Sequence, residues 1–85
     1  MNRVKTVRAL PGHRIEVVFD DGVRGEVDLS QRLFGPMFAP LIDERLFGQV
    51  TVDAFGAPCW PNGADLAPDA LYLMLRESRR PAADP

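Results

Sequence analysis

Trp60, Asn62, Asp65, Asp69 and Tyr72 bring an amide, two carboxylates and two aromatic rings into one short stretch, the densest gathering of polar and aromatic groups in the chain. Such a cluster supports two kinds of chemistry. In the structural one, Asn62-Gly63 makes a turn, Asp65 accepts backbone N–H groups of the loop, and Asp69 favours the positive end of a following helix. In the binding one, the same residues form a shallow edge, with carboxylates as acceptors and rings as rigid contact area. Asp65 and Asp69 already fill the helix N-terminus with negative charge, so a phosphate is repelled and a partner's arginine, or a cation, is easier to place. Two carboxylates without a third ligand are a poor metal site. No metal and no cofactor are expected.

Nucleophilic and acid/base catalysis find little to work with. The single histidine, His13, sits beside the Pro11-Gly12 turn with no serine or cysteine obviously brought to it, and an exposed turn residue is expected. The single cysteine, Cys59, precedes Trp60 on an apolar stretch without a basic neighbour to lower its pKa, which reads as a buried structural thiol. The chain is not expected to be an enzyme.

The elements that must position these groups follow from composition and periodicity. The 85 residues, 9.4 kDa in mass, carry 26% charged and 46% hydrophobic residues, the balance of one soluble globular domain. That domain is expected over residues 1–80, with residues 81–85 a frayed tail. No apolar run approaches the ~20 residues that span a bilayer, and no secretory signal opens the chain, so a cytoplasmic protein without membrane contact is expected. A net charge of −2 argues against nucleic acid, and Arg3, Lys5 and Arg8 on one strand are few and lack interleaved aromatics. Residues 25–75 hold seven acids against two basic residues, a distribution that would steer a basic partner.

Apolar positions recur at spacing two from residue 3 to residue 29, which predicts three antiparallel strands. Ile15, Val17 and Phe19 share a face, as do Val23, Gly25, Val27 and Leu29. A two-residue Asp21-Gly22 loop would set Phe19 against Arg24 and mix core with solvent. The loop must therefore be Asp20-Asp21-Gly22, with Val17 opposite Gly25 and Arg14 opposite Asp28. Val4 and Val7 are three apart, and a bulge near Lys5-Thr6 reconciles them. Between residues 30 and 48 the period changes: Ser30 is expected to cap a turn that Gly35-Pro36 interrupts, and Asp43 to cap a second turn ending at Gly48. Leu33, Phe34, Met37, Phe38, Leu41, Leu46 and Phe47 are expected to cover the sheet. A short second hairpin turns at Phe55-Gly56 and places Pro58 on an edge. Pro68 then opens a helix running to about residue 79.

Val27-Asp28-Leu29, the Phe38-x-x-Leu41-x-Asp43-x-x-Leu46-Phe47 stretch and Trp60-Pro61-Asn62-Gly63-Ala64-Asp65-Leu66-x-Pro68-Asp69-x-Leu71-Tyr72 together resemble the bacterial family called domain of unknown function 2442, over residues 3–75. The resemblance implies a small α+β domain, found alone or fused to a helix-turn-helix domain, and implies no activity. Some members of the family are similar to the antitoxin-like partner of a small toxin-like protein. No helix-turn-helix accompanies the motif in these residues.

Leu71 to Leu75 are consecutive apolar residues and so surround the helix; Leu73 or a neighbour must point away from the sheet. The combined expectation is an α+β domain: a meander, a short second hairpin, helical turns and a C-terminal helix. It acts as a protein-interaction module, joining a protein partner or a second copy through Trp60, Asn62, Asp65, Asp69, Tyr72 and Leu73. The alternative is a small-ligand-binding or enzymatic subunit that uses the edge from Trp60 to Tyr72.

Overall fold

Alternating apolar residues build three strands, β1 (Val4–Leu10), β2 (Arg14–Phe19) and β3 (Arg24–Asp28), which form an antiparallel sheet in the order β1-β2-β3. The computed structural model describes residues 2–78, so the expected tail at residues 81–85 lies outside the described residues. Val17 faces Gly25 and Arg14 faces Asp28. The Asp20–Gly22 loop closes where the Phe19 amide donates to Val23 O at 2.8 Å and Gly22 adopts φ +90°. This is the register that face parity demands. The register of β1 against β2 shifts between Val4 and Thr6, the bulge that lets Val4 reach the core. Although Arg14 lies opposite Asp28, its guanidinium donates diagonally to Glu26 Oε1 at 2.8 Å.

The turn between β1 and β2 takes in His13. Leu10 pairs with Arg14, so Pro11, Gly12 and His13 form a three-residue loop, and His13 itself takes a left-handed φ of +57°. Its imidazole is engaged: Nε2 lies 2.9 Å from Ile42 O, and the ring packs edge-on against Phe47 at 5.1 Å. The histidine fastens the middle segment to the end of the sheet.

That segment folds differently from expectation at its start. Gly35-Pro36 opens a helix instead of interrupting one: α1 (Gly35–Phe38) has proline in its first turn, where a missing N–H costs nothing. Ser30 caps no helix; its amide donates to Asp28 Oδ1 at 2.9 Å. A 3-10 turn, Ala39–Ile42, leads to α2 (Glu44–Phe47), whose N-cap Asp43 accepts from the Arg45 amide at 2.9 Å and which ends at Gly48. Leu33, Leu41 and Phe47 enter the core, whereas Phe34 and Met37 stay in solvent.

The second hairpin pairs β4 (Thr51–Val52) with β5 (Pro58–Cys59). Asp53 Oδ1 holds its tip by accepting from the amides of Phe55 and Ala57. Gly56 O then accepts from the Val4 amide at 2.9 Å, which ties the hairpin to β1. The last element, α3 (Pro68–Ser78), lays Leu71 and Leu75 on the sheet and joins them to a core containing Ile15, Val17, Phe19, Val27 and Leu29. No helix among the described residues is long and apolar enough to cross a membrane.

Candidate partner-binding surface

The closing motif splits in two: Trp60 and Asn62 are tied to the middle segment, whereas Asp69 and Tyr72 bind neighbouring groups at the start of the chain and in the β2–β3 loop. Trp60 is buried at 3% exposure, packed on Phe47 and Phe38, and its indole N–H donates to Phe47 O at 2.9 Å. Asn62 is the organiser of the loop: Oδ1 accepts from the Ala64 amide at 3.1 Å while Nδ2 donates to Met37 O at 2.8 Å. The role expected of Asp65 therefore falls to Asn62. Asp65 pairs with Cys59 through its backbone, and its exposed carboxylate accepts no hydrogen bond among the described residues. Asp69, in the first turn of α3, accepts from the amide and side chain of Asn2, both at 3.2 Å, and pins the start of the chain to the helix.

Tyr72, one turn further along α3, reaches the β2–β3 loop at the same end of the sheet. Its hydroxyl donates to Asp21 Oδ2 at 2.8 Å and its ring stands edge-on to Phe19 at 5.0 Å. The Val23 amide and then the Tyr72 hydroxyl stabilise the ionised Asp21 carboxyl and hold it below the usual carboxylate range. Leu73 points outward at 59% exposure, as a helix apolar all round requires of one residue. Cys59 is half-buried, with its sulfur 3.6 Å from the Thr51 hydroxyl. Among the described residues no cluster of His, Cys, Asp and Glu is placed to hold a metal ion.

A better-formed concavity lies beside the motif, where periodicity gave no hint of it. Leu29, Leu33, Phe38 and Leu66 line an apolar groove of about 270 Å³ together with Phe34 and Arg32. Phe34 is 73% exposed at its rim. α1 starts at Gly35, whose φ of +84° turns the chain there, and the Phe34 side chain just before it is left outside the core. Arg32 makes no ion pair among the described residues, and the groove is thus apolar with one free cation. The sheet's outer face is the reverse case. There Arg8 and Arg24 both approach Glu16, at 3.0 and 3.8 Å, Arg14 binds Glu26, and Arg3 lies 3.9 Å from Asp20.

The family profile described as protein of unknown function (DUF2442) matches residues 4–76. The chain belongs to the DUF2442 family. Among solved structures, this DUF2442 domain is similar to a protein from Nitrosomonas europaea ATCC 19718 whose name proposes DNA binding. The two share 25% identity and superpose with a TM-score of 0.79 over 92% of this chain and 51% of the other. The DUF2442 chain therefore spans about half the length of that protein. No curated protein matches the sequence.

Proposed function

We propose that this DUF2442 domain is a non-enzymatic protein-interaction module whose partner seats on the groove between Leu33, Phe34, Phe38 and Leu66. The observation that carries the proposal is Phe34, an aromatic ring 73% in water at the rim of open apolar volume. Rings of this kind, beside a pocket they do not fill, are what interaction hot spots are built from. Arg32 on the same rim selects the occupant: a segment of another protein that presents a large apolar side chain next to a carboxylate. The antitoxin-like role implied by the family resemblance, partner to a small toxin-like protein, is one instance of that chemistry.

Two other readings draw less support. The name of the Nitrosomonas europaea protein brings DNA into consideration, but Arg8 and Arg14 on the sheet are held by Glu16 and Glu26 at 3.0 and 2.8 Å, whereas a phosphate surface needs free cations. A small-ligand or enzymatic edge from Trp60 to Tyr72 would need groups that are already engaged: the Trp60 indole with Phe47, Asp69 with Asn2, and Tyr72 with Asp21.

A displayed peptide library selected on the immobilised domain tests the proposal, with fluorescence anisotropy of a mixed-sequence DNA duplex at physiological salt as a second arm. Expected are peptides with a large apolar residue beside Asp or Glu. Their binding should be lost in Phe34→Ser and weakened in Arg32→Glu, with both variants melting like wild type. No enriched peptide, or tight duplex binding indifferent to Phe34→Ser, overturns it.

A further inference from the structure

We propose that β3 is a self-recognition edge, through which two copies of this chain join by antiparallel pairing of their Arg24–Asp28 strands about Glu26. The proposal rests on the sheet and is independent of the Phe34 groove.

Hydrogen-bond parity establishes the edge. The Phe19 amide donates to Val23 O at one end of the β2–β3 pair, and the Leu29 amide donates to His13 O at the other. Bonded positions alternate along an antiparallel ladder, so Gly25 and Val27, opposite Val17 and Ile15, direct their backbone groups toward β2. Arg24, Glu26 and Asp28 direct theirs away. All three are exposed, and β3 ends the β1-β2-β3 order, so a row of amides and carbonyls is presented to whatever strand can pair with it. The opposite edge is partly closed, because Val4 on β1 is bonded to Gly56 of the second hairpin.

Charge decides the occupant. Edge strands commonly repel other strands with charges that cannot be matched. Here the charges match their own reversed copy: a two-fold axis through Glu26 sets Arg24 of each strand opposite Asp28 of the other. Glu26 would meet itself, but each Glu26 carboxylate is already neutralised by the Arg14 guanidinium at 2.8 Å. Arg24 has only a loose 3.8 Å contact with Glu16 to give up. An unrelated strand would need this pattern by coincidence, whereas a second copy has it by symmetry.

Charge reversal tests the pairing by analytical ultracentrifugation, with circular dichroism to confirm folding. Wild type should sediment as a dimer at high concentration. R24D sets carboxylates opposite Asp28 and D28R sets guanidinium groups opposite Arg24, so each variant alone should self-associate about tenfold more weakly or worse. An equimolar mixture of the two restores both opposite-charge pairs and should form a heterodimer. E26P provides a second test, because its missing amide is one that β2 does not use; it should be folded and monomeric. A monomeric wild type, single variants that dimerise like wild type, a mixture that stays monomeric although both variants fold, or a dimeric E26P overturns the proposal.

Discussion

Leu75 of α3 occupies the space that a side chain on Gly25 of β3 would enter: a Cβ built on Gly25 would lie 2.8 Å from Leu75 Cδ2. The helix can settle on the sheet only because the strand is notched there. Leu75 is 1% exposed and Val17, across the ladder from Gly25, is fully buried, so neither has room to yield. Gly25→Val should therefore cost about 1–3 kcal/mol by overpacking, despite valine's greater preference for strands. Leu75→Ala alone should cost about 2–5 kcal/mol. In the double variant the added methyls fill part of the vacated volume, and the summed loss should fall short of additivity by about 1 kcal/mol or more. Urea denaturation of the four proteins checks this; strict additivity would mean that the two residues do not compete for one space.

Long-range and short-range order were unequally legible in the sequence. Facial parity was enough to set the β2–β3 register and the Asp20–Gly22 loop, because any slip would have put Phe19 in water. The bulge near Thr6 and the Asp43 cap were equally readable, each being a local rule with few solutions. What escaped were choices made by distant partners. Trp60 is a core residue because a carbonyl thirteen positions away, on Phe47, receives its N–H, and no pattern around Trp60 encodes that. Asn62 displaced Asp65 as loop organiser for a similar reason, its second hydrogen bond being to Met37. In the middle segment, turns of four residues are too short for an apolar period to show which ring lies outside, so Phe34 could not be told from Phe47.

The closing motif should divide into a structural half and a neutral half. Trp60→Phe keeps much of the ring packing but leaves Phe47 O without its buried donor, at a cost of about 1–3 kcal/mol. Asn62→Ala removes one hydrogen bond within the loop and one that holds the loop against α1, and should cost about 1–2 kcal/mol. Asp65→Ala, by contrast, deletes an exposed carboxylate without a hydrogen bond and should change stability by less than about 0.5 kcal/mol. Thermal melts of the three variants check the division. A destabilised Asp65→Ala would show that its carboxylate, and not only its backbone, holds the loop.

Acid should destabilise the domain through two carboxylates, Asp21 in the loop before β3 and Asp28 at its end. Asp21 is held below the ordinary value of 3.8 by the Val23 amide and then the Tyr72 hydroxyl. Asp28 is held below the same value by the Ser30 hydroxyl and then the Ser30 amide. In both cases the folded state binds its proton less readily than the unfolded chain. The stabilisation is thus complete above the ordinary carboxylate value and is lost as pH falls through the lowered one. Melting temperatures taken from about pH 6 down to about pH 2 should drop most steeply below the ordinary value. Asp21→Asn and Asp28→Asn should each start lower and fall less. Tyr72→Phe separates the two donors at Asp21: with the Val23 amide still in place, part of the acid sensitivity should survive, whereas Asp21→Asn abolishes that site's whole share. If Asp21→Asn keeps the wild-type slope, the bond between Tyr72 and Asp21 does not couple the helix to the β2–β3 loop in solution.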